Sequence, residues 1–225
     1  NKSGGQIYMK QIIKNAKIYD GTGSAPFMGE VLIEDDRIVK VEEYITEEAD
    51  KVYDLNGKSL APGFIDGHSH NDWFAIKKDP LPYFVPFLRQ GIATFVTGNC
   101  GVSAIGFEPD CPHMDVMGAG LFSFDNTTGT YGTLDEFFDA VDGNMPCNLS
   151  VLAGHCTARA AVSGSVNREL TPEEETEMLA ILEKALQQGA AGLSLGMMYD
   201  PGLYADVEEQ RRLAQLCVKY NKPLT

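Results

Sequence analysis

The chain has 225 residues, is 44% hydrophobic, and carries 18 Lys+Arg against 32 Asp+Glu for a net charge of −14. That carboxylate excess argues against nucleic acid or an anionic membrane as partner, because phosphates are repelled, and the apolar fraction excludes a disordered chain. There is no apolar run of about 18 residues, so no membrane span is expected. The first residues, Asn1 to Gln6, lack the apolar stretch of a signal peptide. The five cysteines form no CxxC pattern. A chain of this length needs no disulfide staples, so the expected setting is reducing and cytoplasmic.

From Gln11 to about Leu60 the sequence reads as short strands. Val31-Leu32-Ile33 and Ile38-Val39-Lys40-Val41 flank a polar tetrad at hairpin spacing. Asn56-Gly57 marks a second tight turn, since both residues tolerate positive φ. After Ala61-Pro62-Gly63 the pattern changes to strand–helix alternation. Phe64 to His68 is a first strand, Leu81 to Gln90 a helix, and Ile92 to Thr97 a second, β-branched strand. A Gly- and Asp-rich stretch runs from about Val102 to Gly132. Thr133-Leu134-Asp135-Glu136 is a capping box opening a helix that extends to Gly143. Leu149 to Leu152 is a third strand. Thr171-Pro172-Glu173-Glu174 opens another helix, with Met178, Leu182 and Ala185 on one face and Gly189 as its stop. Ala191 to Leu195 is a fourth strand. Asp206 starts a helix whose buried side holds Leu213, Leu216, Cys217 and Tyr220, and Lys222 to Thr225 approaches a fifth strand.

This alternation implies an α/β fold with a parallel sheet and right-handed crossovers. The expected organisation is part of a small β-domain over 7–61, followed over 62–225 by the first half of a TIM-like (β/α)₈ barrel. The barrel is unfinished, so the chain reads as truncated. An open doubly wound sheet is the alternative, although no Gly-rich phosphate loop follows the first strand.

Chemistry concentrates at the strand ends. His68 and His70 are two residues apart after the first strand, so both imidazoles face one way, toward the end where barrel sites are built. Imidazole is a common zinc ligand. Cys100, in Thr97-Gly98-Asn99-Cys100-Gly101, follows the second strand. As a thiolate it completes a zinc-like donor set; as a lone cysteine it is a core residue. His155 follows the third strand and reads as metal support, substrate contact or a polar strand end. Tyr199 lies beyond the fourth strand, where a phenol can donate to an oxyanion or simply sit at the rim. Arg159 can receive a substrate carboxylate as a bidentate pair or lie on the surface.

These residues carry a resemblance. Val31 to Glu34, continuing through Ala61 to His70, is similar to the opening of the amidohydrolase superfamily. Thr97–Gly101, Asn148–Arg159, Gly189–Gly196 and Tyr199–Tyr204 resemble the D-aminoacylases specifically. The resemblance implies a Zn²⁺-dependent hydrolase that cleaves the amide of N-acyl-D-amino acids. His68, His70 and Cys100 would be metal ligands, and His155, Tyr199 and Arg159 would lie near the substrate. It implies a small-molecule N-acyl amino acid as partner and leaves oligomeric state open. It also implies two further metal histidines and a general-base carboxylate beyond Thr225. Ser69 stands where the family commonly has Thr, and Asn71 where it commonly has Asp. The rival readings are a cyclic-amide hydrolase of the dihydroorotase or hydantoinase type, and a non-catalytic relative of the same fold. Against the first, Gly192-Leu193-Ser194-Leu195 offers no Lys for carboxylation.

Overall fold

The computed structural model of the protein describes residues 9–113, 130–198 and 200–225. The chain divides into two compact units, Asn1–Gly63 and Phe64–Thr225.

The first unit is a β-sheet. Strand β1 (Lys10–Ile18) pairs antiparallel with β2 (Phe27–Glu34), and β2 pairs antiparallel with β3 (Arg37–Glu42). The β2–β3 hairpin falls where the polar tetrad predicts it, and Asp35 adopts φ +52° in the turn. β4 (Lys51–Asp54) and β5 (Ser59–Leu60) both pair parallel with β1, giving the order β3-β2-β1-β4 with β5 beside β1. Asn56 and Gly57 do form a tight turn at φ +50° and +80°. It links two segments lying end to end along β1 and does not make a hairpin. Alternation along β1 and β2 buries Ile12 with Leu32 and Ile45, and Ala16 with Ile18 and Val31.

The second unit is a four-stranded sheet, β6-β7-β8-β9, parallel throughout: β6 (Phe64–Asp66), β7 (Ile92–Thr97), β8 (Asn148–Gly154) and β9 (Gly192–Ser194). Its helices are α1 (Asp72–Ala75), α2 (Leu81–Leu88), α3 (Leu134–Val141), α4 (His155–Ser163), α5 (Pro172–Gln187) and α6 (Val207–Tyr220). Both predicted capping boxes are present: Thr133 with Glu136, and Thr171 with Glu174, each side chain satisfying the other residue's backbone N–H. Gly189 ends α5 at φ +102°. Leu193 bridges in parallel to Leu224, so the last residues lie beside β9.

The apolar faces of these helices and the sheet share one core that includes Phe84, Phe95, Phe137, Met178, Leu182, Leu193 and Leu213. Phe95 on β7 is fully buried and meets Phe84 and Phe87 of α2 edge to face, at 5.5 and 5.3 Å between ring centroids. Such contacts add to the burial of each ring and fix the height of α2 on the sheet. Among the described residues no helix is long and apolar enough to cross a membrane. Parallel strands put all their C-terminal ends on one side, which is where His68 and Cys100 emerge.

Candidate metal centre

β6 ends at Asp66, whose Oδ1 accepts the His68 amide at 3.1 Å and turns the chain out of the strand. Ser69 is pinned inward: its amide and hydroxyl both donate to the Val96 carbonyl, at 3.0 and 3.1 Å. With Ser69 directed inward, its two neighbours are free to turn the other way. The His68 and His70 rings stand edge to face, 5.9 Å between centroids.

β7 ends at Thr97, and the chain then turns sharply. Gly98 and Gly101 have φ +76° and +74°, and Cys100 between them has φ +56°. A left-handed conformation is unfavourable for a residue bearing a Cβ and persists only where the surroundings enforce it. Here it brings Cys100 Sγ to 3.3 Å from His68 Nε2. One donor atom from each of His68, His70 and Cys100 lies within 4.8 Å of the others, and among the described residues no further His, Cys, Asp or Glu joins this group.

Tetrahedral zinc with donors at roughly 2.0–2.3 Å needs them about 3.3–3.8 Å apart, so this set requires only small side-chain rotations to close on an ion. Two imidazoles and a thiol are the donor types zinc favours. Burial, then the charge of His68, lowers the His70 pKa, which favours the neutral ring that coordinates metal.

Behind these donors lies a buried polar layer. Asp72 is fully buried; it accepts the Thr97 hydroxyl and, at 2.7 Å, the Ala104 amide. Desolvation pushes its carboxyl up to about 6 against the opposing pull of those hydrogen bonds. Asn99 donates to the carbonyls of Val96 and Ser69, at 3.1 and 3.4 Å.

The structure places His155 and Arg159 together in a buried cluster with Glu209. β8 runs directly into α4, so His155 is the first residue of a helix and not the tip of a strand. Both side chains have no exposed surface. His155 Nε2 lies 2.6 Å from Glu209 Oε1, and Arg159 Nε donates to the same oxygen at 3.2 Å. Arg159 Nη2 donates to the carbonyls of Arg168 and Tyr204, at 3.0 and 3.2 Å. Arg159 Nη1 and His155 Nδ1 are buried and have no hydrogen-bond partner among the described residues. Tyr199 lies outside the described residues.

Sequence reasoning missed Asp72, Ser194 and Glu209. Asp72 had a signal, standing two residues past His70. Glu209 had none: a Glu in the first turn of a helix normally faces water and complements the helix dipole.

The amidohydrolase family profile matches residues 51–223. The chain belongs to the amidohydrolase family. One curated protein similar to this amidohydrolase chain is the N-acyl-D-aspartate deacylase of Alcaligenes xylosoxydans xylosoxydans, 36% identical over 201 residues, covering 88% of this chain and 39% of that protein. One solved structure is the N-acyl-D-glutamate deacylase of Bordetella bronchiseptica complexed with zinc and a phosphonate mimic of the tetrahedral intermediate. It has 31% identity and a TM-score of 0.81, over 96% of this chain and 44% of that one. Another is a D-aminoacylase described for its binuclear metal centre, with 31% identity and a TM-score of 0.78, over 95% of this chain and 44% of that one. The amidohydrolase chain spans 39–41% of the length of the first curated relatives it matches. The family read from His68-Ser69-His70 and Gly98-Asn99-Cys100-Gly101 therefore holds.

Proposed function

We propose that this chain carries the first metal-binding half of a zinc-dependent hydrolase that cleaves the amide bond of N-acyl-D-amino acids, releasing a carboxylate and a free D-amino acid. The observation that carries the reading is the convergence of His68, His70 and Cys100 at the ends of two adjacent parallel strands. In this reading 62–225 is the first half of a (β/α)₈ barrel, and 7–61 is part of a small β-domain. The substrate is a small molecule, and Tyr199 is retained as a residue beside it.

His68 and His70 would offer neutral imidazole nitrogens, and Cys100 a thiolate that offsets one charge of the ion. When bound, zinc would polarise an amide carbonyl and make a water acidic enough to lose its proton near neutral pH. The residues of the chain supply orientation. Ser69 and Asp66 fix the turn that presents the histidines, and the glycines around Cys100 let its backbone reach them. Support for the acyl-D-amino acid class comes from the deacylases of Alcaligenes and Bordetella, and from a fourth strand that holds Ser194 and no Lys.

The test uses the protein expressed from its complete reading frame and loaded with zinc. Initial rates are measured on N-acetyl-D- and N-acetyl-L-amino acids, dihydroorotate and hydantoin. The D-series should show the highest kcat/KM. A preference for a cyclic amide, or no turnover with zinc bound, would overturn the assignment.

A further inference from the structure

We propose that Ser194 is a positioning residue for the Cys100 thiol: its hydroxyl bridges the two glycines around Asn99-Cys100 and locks the loop in the shape that aims Sγ at His68. The proposal rests on the metal-site reading above for its consequence, and on geometry alone for its mechanism.

Ser194 is the last residue of β9 and has no exposed surface. Its Oγ accepts the Gly101 amide at 3.0 Å and donates to the Gly98 carbonyl. One hydroxyl thus ties together two backbone groups from opposite sides of a four-residue turn. That turn also closes on itself, with the Val102 amide donating to the Asn99 carbonyl at 3.0 Å. Three residues in the turn, Gly98, Cys100 and Gly101, have positive φ. The two glycines adopt it without steric cost, but Cys100 does not, at a cost of roughly 1–2 kcal/mol. Something outside the turn must hold Cys100 there, and Ser194 bonds both residues that decide its direction.

The alternatives for Ser194 fail on the same geometry. Its one proton is committed to the Gly98 carbonyl and its oxygen already accepts the Gly101 amide, so it has no donor left for a ligand, and full burial excludes solvent contact. Nor is it a generic core serine. Ser163 is also buried, at 7% exposure, but its hydroxyl donates within its own helix, to the Arg159 carbonyl at 2.9 Å. Ser194 ties residues 93 and 96 positions away in sequence. Removing its hydroxyl strands a buried N–H and a buried C=O, and the turn can satisfy them only by rearranging.

The experiment compares Ser194→Ala with Ser163→Ala, a matched loss of one buried hydroxyl, in the full-length protein. The first readout is zinc affinity by competition with a chromophoric chelator, with the thiolate-to-cobalt charge-transfer band as its spectroscopic counterpart. Ser194→Ala should weaken zinc about 10–100-fold, the range seen when residues that orient a ligand are lost, and should diminish the cobalt band. Ser163→Ala should change neither. The second readout needs no metal: the alkylation rate of Cys100 by iodoacetamide in chelator-treated protein, followed by peptide mass. Ser194→Ala should raise it at least severalfold, and Ser163→Ala should not. If the parent protein binds no zinc, the metal-site reading fails while the alkylation comparison still decides Ser194. If Ser194→Ala does not fold, Ser194→Gly leaves room for a water between the Gly98 carbonyl and the Gly101 amide, and both readouts should move in the same direction by a smaller factor. Equal effects of the two serine substitutions would overturn the proposal. So would an unchanged Cys100, or failure of both Ser194 variants to fold, since the hydroxyl would then serve folding and not the thiol.

Discussion

Glu209 Oε1 lies 2.6 Å from His155 Nε2 and also takes the Arg159 Nε–H at 3.2 Å, so one carboxylate oxygen on α6 anchors two side chains of α4. All three groups are buried. Removing one partner of a buried ionic network leaves an uncompensated charge, which costs far more than the network contributes as a whole. Glu209→Ala should therefore destabilise the protein by about 3–5 kcal/mol, and Glu209→Gln by less, because the amide oxygen still accepts one bond. The measurement is the denaturant midpoint of each variant at constant m-value. A loss below about 1 kcal/mol for the Ala variant would mean the cluster does not secure α4 to α6.

The elements that were legible in sequence are those whose signals are local. β7 was read at its observed limits because Ile92 to Thr97 is a continuous β-branched and apolar run between a Gly and a Gly. The helices at Leu134 and Pro172 were read because their capping boxes name the first turn. The start of α4 is not legible, since its cap is Gly154, which has no side chain to form a cap bond, so nothing in Gly154-His155-Cys156 marks the change from strand to helix. The sequence therefore places His155 at a strand tip, where the structure has the first turn of a buried helix. The clustering of His68, His70 and Cys100 is legible because they lie close to strand ends that periodicity locates. Ser194 and Asp72 act through tertiary bonds 93 and 32 residues long in sequence, which no local pattern encodes.

Glycine substitutions should separate contact from conformation. A Cβ on Gly196 would lie 2.1 Å from the Cys100 carbonyl oxygen and 2.8 Å from Cys156 Sγ, and the backbone it meets has no room to yield. A Cβ on Gly143 would meet nothing within 4 Å, although Gly143 has φ +74°. Gly143→Ala should therefore cost only the left-handed penalty of about 1 kcal/mol. Gly196→Ala should cost more than about 3 kcal/mol through overpacking, and it should displace Cys100. Thermal unfolding of both variants, with Cys100 alkylation as the local readout, checks the contrast.

One ion pair should give stability a specific acid dependence. Arg168, and then the Thr171 amide, lower the Glu174 carboxyl from 4.5 to about 2. A carboxylate whose pKa is lower in the folded state contributes stability that is fully present above its unfolded value and is lost as pH falls through the folded one. The affected window therefore runs from about 4.5 down to about 2. Arg168 has 47% side-chain exposure, so solvent screens the pair, and the expected contribution is only about 0.5–1 kcal/mol. Arg168→Ala should reduce stability by that amount near neutral pH and shrink the further loss between about pH 5 and pH 3. Urea midpoints at the two pH values measure it, and an unchanged acid slope would remove Glu174 as the cause.

The candidate metal centre makes the sharpest demand. If His68, His70 and Cys100 hold zinc together, each single removal takes away a direct donor, and affinity should fall further than the roughly 10–100-fold typical of residues that only orient a ligand. His68→Ala, His70→Ala and Cys100→Ser should each lose on the order of 10²-fold or more in zinc affinity. Cys100→Ser should also abolish the thiolate-to-cobalt band, which the histidine variants need not do. Metal bound only by the folded state stabilises that state by mass action, so chelation should lower the Tm of the parent protein and leave the Tm of the three variants nearly unchanged. The variants must keep the parent's far-ultraviolet circular dichroism, because these donors lie at strand ends and support no part of the Phe95 core. Zinc affinity retained within a factor of about 3 in any one variant would strike that residue from the ligand set. Retention in Cys100→Ser would also remove the reason for Cys100 to stand in a left-handed turn beside His68.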